Sequence, residues 1–135
     1  MNIAQMMIPK VFTAFLHEGD SVRQGLEIML NHGYTAIPVL DSEERYIGCV
    51  CEGDFLRHIL NTGTTDRKFH EQYLISSIVR KDFCPAINIE AEKDEVIGGM
   101  LNQNFLPVVD SRNMLCGILT RSGVIKYLAE KVRDE

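Results

Sequence analysis

The sequence predicts an α/β (α+β) fold built of two small halves, each a little sheet with helices packed on it. Three observations predict this. Four marker residues recur at a single offset of 69, pairing Pro38 with Pro107, Asp41 with Asp110, Ser42 with Ser111 and Gly48 with Gly117. The stretches that carry them, YTAIPVLDSEERYIGCVCEGD from Tyr34 and FLPVVDSRNMLCGILTRSG from Phe105, both read as strand, turn, strand and helix start. Each is preceded by an extended segment and a helix. Self-similarity at a fixed period is the mark of a tandem repeat, and neither half can close a core until the other covers it.

Taken in order, residues 2–8 predict a short helix capped by Asn2 and ended by Pro9. Val11 to Leu16 reads as extended. Ser21 and Gln24 have capping-box spacing, and Val22, Leu26, Met29 and Leu30 fall on one helical face. Gly33 then fits the position just past a helix end. Ile37, Val39 and Leu40 form a run too continuous for a half-exposed strand. Asp41 to Glu44 is a polar turn, and Gly48 in the returning strand marks close approach by another backbone or a ligand. A helix from about Gly53 or Asp54 is expected to bury Phe55, Leu56, Ile59 and Leu60.

Asn61 to His70 has loop composition and divides the chain into 1–62, a linker at 63–71, and 72–135. Gln72 to Val79 is expected to be helical. Asp82 to Ile89 repeats the extended segment, and Glu92 to Asn102 repeats the first helix. Val96 to Pro107 is five residues shorter than Val22 to Pro38, and Gly98-Gly99 costs the helix about 1–2 kcal/mol relative to alanines, so a shorter or looser helix is expected. The last helix, from Ser122, is expected to bury Val124, Ile125, Leu128 and Val132.

The chain has 135 residues, 45% hydrophobic and 24% charged, the composition of an ordinary globular protein. A net charge of -5 argues against nonspecific nucleic-acid binding. No apolar run approaches the roughly 20 residues that cross a bilayer, and MNIAQMMIPK lacks the features of a signal peptide. No membrane association is expected, and the location is read as cytoplasmic. Cys49, Cys51, Cys84 and Cys116 contain no C-x-x-C pair, and His17, His32, His58 and His70 are scattered. Reduced core thiols are expected, with no zinc. There is no Ser/His/Asp or Cys/His arrangement, paired-carboxylate site or phosphate loop, so no catalytic function is expected.

IPVLD with GCVCEGD, and LPVVD with GILTRSG, resemble the two motifs of a tandem pair of cystathionine-β-synthase-type (CBS) domains, the regulatory Bateman module. MIPKVFTAF, HGYTAIPVLD and GILTRSGVIKYL further resemble the stand-alone two-CBS proteins of Gram-positive bacteria that bind cyclic di-AMP. The resemblance implies halves packed with pseudo-twofold symmetry, two clefts, and a homodimer formed through the helices. It implies a regulatory adenine nucleotide, with cyclic di-AMP favoured, in place of any catalytic cofactor. It also implies signalling through protein contact, with a target such as a guanosine penta- and tetraphosphate synthetase.

On this pattern the first cleft joins Lys10, Val11, Phe12, Tyr34, Thr35 and Ala36 to Thr120, Arg121 and Ser122. Val11, Phe12 and Ala36 suit a base, Tyr34 its rim, and Thr120, Ser122, Arg121 and Lys10 a phosphate. Gly123 stands where the motif has its ribose-binding Asp. A cyclic dinucleotide, whose 3′ hydroxyl is esterified, depends less on that carboxylate. The second, weaker cleft takes Cys51, Asp54, Cys84 and Phe105, with Cys51 in place of the motif's hydroxyl. Alternatives are a scaffold that binds no nucleotide, or a sensor of AMP, ATP or S-adenosylmethionine. Plain structural roles stand beside these: Phe12 and Tyr34 as core aromatics, Lys10 as a surface cation, Arg121 paired on a helix face, and Thr120 and Asp54 as helix-start residues.

Overall fold

A computed structural model describes residues 1–134, with side chains described as far as Lys131. In chain order its elements are α1 (Ile3–Met6), β1 (Ile8–Pro9), β2 (Leu16–His17), α2 (Val22–His32), β3 (Ala36–Leu40), β4 (Tyr46–Cys51) and α3 (Glu52–Thr62). There follow α4 (Arg67–His70), β5 (Ile87–Asn88), α5 (Lys93–Asn102), β6 (Phe105–Val109), β7 (Leu115–Thr120) and α6 (Arg121–Asp134). These form two compact units, Ala14–Phe83 and Met1–Thr13 with Cys84–Glu135. The first thirteen residues therefore fold with the second repeat. Residues 63–83 fold with the first.

The unit of residues 14–83 holds a three-stranded sheet in the order β2-β3-β4, with β2 parallel and β4 antiparallel to β3. Its core is Leu16, Val22, Met29, Ile37, Val39, Val50, Phe55 and Ile75. The other unit holds four strands in the order β1-β7-β6-β5. Ile3, Ile87, Val96, Met100, Leu106, Val108, Leu119 and Val124 form its core. Ile3 of α1 is 2% exposed there, and burying a side chain of that kind is worth about 1.5–3 kcal/mol, which anchors the N-terminal segment to this sheet.

The repeat markers acquire physical reasons. Asp41 Oδ1 accepts from the Glu43 and Arg45 amides at 2.8 and 3.0 Å; Asp110 Oδ1 accepts from those of Arg112 and Met114 at the same distances. These bonds, led by the Arg45 and Met114 amides, hold both carboxyls below the usual carboxylate range. Gly48 is where the Arg80 carbonyl crosses β4, and Gly117 is where the Ile8 carbonyl crosses β7; a Cβ at either would collide with that oxygen. The close approach expected at Gly48 is thus a backbone, in both repeats.

Helix ends follow the sequence closely. Asn2 caps α1, Ser21 and Gln24 form the capping box of α2, and Gly33 ends α2 at φ 66°. Other expectations need correction. Val11 to Leu16 is not uniformly extended, because Lys10–Phe12 is a 3-10 turn closed by Thr13 onto the Lys10 carbonyl. The 63–71 stretch is not all loop: Asp66 caps α4 through the Lys68 amide at 3.1 Å. Gln72 to Val79 is not an α-helix. Ile75 and Ser76 donate instead to the Asp20 and Glu18 carbonyls at 2.8 and 2.9 Å, leaving only a 3-10 turn at Ile75–Ser77.

The second repeat's helix is barely shortened. α5 has 10 residues against 11 in α2, and two loop residues follow it against three, so the deficit is two residues and not five. Pairing Val22 with Val96 was the source of the difference, since Val22 opens α2 whereas Val96 lies a turn inside α5. Gly99 lets Leu106 approach, and nothing in the structure explains Gly98. Several residues expected in the core are outside it: Leu30, Leu56, Leu60 and Ile125 are exposed, while Phe55 and Val124 are buried. The Val132 side chain lies outside the described residues. Among those residues no helix is long and apolar enough to cross a membrane, and the cysteines form no disulfide, Cys49 and Cys84 being buried and Cys51 and Cys116 half-buried.

Candidate functional site

In the unit containing the second repeat, Thr120 ends β7 and stands at the head of α6. Its Oγ1 accepts the Gly123 amide at 3.1 Å and lies 3.3 Å from Ser122 Oγ. The helix-cap role considered for Thr120 is therefore present, and the hydroxyl proton is left to donate. The first turn of a 14-residue helix adds partial positive charge beside it.

Arg121 is placed differently from expectation. Its Nε donates to the Met100 carbonyl at 3.0 Å and its guanidinium to the Gln103 carbonyl at 3.1 Å. α5 lacks the left-handed glycine that ends α2, and Arg121 satisfies the carbonyls at that end. In this structure its bonds go to backbone carbonyls and not to an acidic neighbour on a helix face. It also walls a groove of about 380 Å³ with Leu101, Val124 and Ile125.

β1 runs antiparallel to β7, pairing Ile8 with Ile118 and Pro9 with Gly117. The chain thus moves away from Thr120 as it reaches Lys10. Lys10 sits close enough to Cys116 to oppose the upward push that burial gives that thiol. From Cys116 to Thr120 is four strand residues, about 13 Å. Lys10 and Thr120 therefore flank β7 at different levels, and their backbones do not converge on one phosphate. Val11 and Phe12, 80% and 75% exposed, project from the same turn. Phe12 is not a core aromatic.

Within each unit the strand register sets residues expected in different clefts side by side. Phe105 is the cross-strand partner of Thr120, and Ala36 that of Cys51. Residues directly opposite point to the same face with Cβ atoms about 5 Å apart. Phe105, assigned to the second cleft, is thus the immediate neighbour of Thr120, and Ala36, assigned to the first, that of Cys51. Gln103, which nothing in residue type or spacing singles out, donates toward the Cys84 sulfur, the Pro85 carbonyl and the Phe105 carbonyl at 3.2, 3.4 and 3.2 Å. Cys84 is buried with φ 66°.

In the other unit, Asp54 is 5% exposed and fully occupied. It accepts the Cys51 amide at 2.8 Å and the Cys51 thiol at 3.1 Å, and pairs with Arg57. It is the reciprocal carboxylate of the α3 capping box, as its plain reading had it. Tyr34 is half-buried beside His32 and against the core, Thr35 is exposed with its carbonyl accepting the Glu52 amide, and Ala36 is half-buried. A cavity of about 640 Å³ beside Asp54, Arg57 and His58 was not foreseen from the sequence.

Two units of one design, each a small sheet ending in a capped helix, make the chain a tandem pair of one small domain. The chain belongs to the CBS domain family, whose pattern matches residues 3–61 and 75–130. It is 26% identical to the cyclic di-AMP receptor B of Bacillus subtilis (strain 168) over 133 residues, spanning 98% of this chain and 90% of the relative. The fold superposes with a TM-score of 0.88 on a CbpB crystallised with c-di-AMP, at 21% identity and covering 99% and 88% of the two chains. With Listeria monocytogenes CbpB in complex with c-di-AMP the TM-score is 0.83, at 24% identity and covering the whole of both chains.

Proposed function

We propose that this chain is a non-catalytic sensor that binds an adenine nucleotide, cyclic di-AMP above others, and passes the bound state on through protein contact. The observation that carries the reading is similarity along nearly the full length to a cyclic di-AMP receptor. Chemistry on the repeat-2 unit supports it. Val11 and Phe12 offer exposed apolar surface for a base, and Phe105 lies opposite a hydroxyl, Thr120, at a helix head suited to phosphate. Tyr34, Thr35 and Ala36 complete the ligand-binding set in this proposal, with Lys10 supplying charge and Ser122 a second hydroxyl. Cys51 and Asp54 are bonded to each other, which makes their end the weaker one.

Calorimetry against cyclic di-AMP, AMP, ATP and S-adenosylmethionine tests this directly. Cyclic di-AMP should bind most tightly; no heat with any of the four would sink the sensor reading. The scaffold alternative is favoured by one observation, the engagement of Arg121 with backbone carbonyls. It would gain if the titrations were silent while the protein still captured a target, for example a guanosine penta- and tetraphosphate synthetase.

The same proposal includes a homodimer. Leu30, Leu56 and Leu60 on α2 and α3, and Leu101 and Ile125 on α5 and α6, are all at least 58% exposed. Both units thus offer an equivalent helical face with the same apolar character, as a self-complementary interface requires. Light scattering should give twice the 15.3 kDa chain mass, and Leu56→Glu with Ile125→Glu should give the monomer.

A further inference from the structure

His58 on α3 and His70 at the end of α4 are 8% and 1% exposed, and nucleotide binding as proposed above uses neither. His58 Nε2 lies 2.9 Å from His70 Nδ1, and His70 Nε2 lies 2.9 Å from the Thr64 carbonyl oxygen. A carbonyl only accepts, so His70 Nε2 carries a hydrogen. Its Nδ1 in the neutral ring is then a lone pair, and His58 Nε2 must donate to it. The network fixes both tautomers and is complete with both rings neutral.

We propose that this pair is a proton-operated latch on the segment joining the two repeats, closed when both rings are neutral and released when one is protonated. Between α3 and Ile75 the segment it holds forms one regular element, α4. α4 has 4 residues, too few to persist by itself. Around it, Phe69 and Tyr73 pack on the histidines, the Val22 amide donates to the Tyr73 carbonyl at 2.8 Å, and Glu71 pairs with Arg23 of α2. The cavity beside Asp54, Arg57 and His58 lies against the same junction and gives water a route to it.

A proton on His58 Nδ1 keeps every bond of the network and one on His70 Nδ1 only reverses the bond between the rings, so the cost of protonation lies in burying the charge. The new charge also has nothing to meet. On α3, Asp54 and Arg57 are paired with each other; on α4, Arg67 and Lys68 add positive charge and Asp66 caps the helix. Glu71 is held by Arg23 of α2, and Tyr73 presents a ring edge. Among the described residues no carboxylate bonds either imidazole. Burial, then the positive charge of His70, lowers the pKa of His58. A histidine favoured in its neutral form contributes stability that is present above its unfolded pKa of about 6.5 and lost as pH falls below it. Acidification therefore opens the junction.

Hydrogen exchange on the full-length protein at pH 7.5 and 5.5, corrected for intrinsic rates, reads the latch. Protection of residues 64–73 should fall at least tenfold at the lower pH, while that of β3 holds. In the double variant His58→Gln/His70→Gln, each amide can donate and accept in the same chain without titrating, so protection should be the same at both pH values. Unchanged wild-type protection, or an equal acid loss in the double variant, would overturn the proposal. Should the double variant lack protection at pH 7.5, the imidazole NMR titration of the wild type decides. A His58 midpoint below the ordinary histidine value supports the latch, and an ordinary one refutes it.

Discussion

Replacing Phe12 by alanine should weaken cyclic di-AMP binding roughly tenfold to a hundredfold and leave stability unchanged. Stacking of a base on an aromatic ring is worth about 1–3 kcal/mol, and 1.4 kcal/mol is a factor of ten. The ring is 75% exposed, so folding draws little from it. Truncating so exposed a side chain shifts stability by less than about 0.5 kcal/mol. Phe55→Ala is the converse: at 2% exposure its ring is core, and its loss should cost about 3–5 kcal/mol. Urea unfolding and calorimetry on both variants separate the two roles. Wild-type affinity in Phe12→Ala would remove this side chain from the site.

What the sequence made legible was whatever is settled by neighbours along the chain. The Asp41 and Asp110 turns, the Ser21 capping box and the Gly33 helix end are local hydrogen-bond arrangements, and each declares itself in residue type and spacing. The strand register was less so, because a bulge between Val108 and Val109 shifts the pairing by one residue: counting outward from the Asp110 turn would set Phe105 opposite Leu119, whereas its partner is Thr120. Arg121 was not legible, because its partners are carbonyls, which every residue has. Leu56 and Leu60 misled for a related reason: an apolar face marks burial without saying whether the cover is the same chain or another copy. The exchange of end segments was hidden as well, since residues 1–13 and residues 63–83 each precede a repeat and either could have filled its sheet edge.

Gly117 ties that exchange to binding, and Gly117→Ala should show it. The added methyl would collide with the Ile8 carbonyl and press on the Met7 sulfur. A flexible side chain could yield, but a carbonyl held in β1 yields only by moving the strand. Overpacking of this kind costs about 1–3 kcal/mol. β1 is two residues long and leads straight into the turn carrying Lys10, Val11 and Phe12, so displacing it displaces them. Affinity should fall together with the urea midpoint. Gly98→Ala supplies the control in the same unit. Nothing lies within 4 Å of a Cβ there, and an exposed helical glycine replaced by alanine should gain about 0.5–1 kcal/mol without touching the ligand. If Gly117→Ala lost stability yet bound cyclic di-AMP like the wild type, the turn at Lys10 would be no part of the site, and recognition would rest on the Thr120 and Phe105 end of β7.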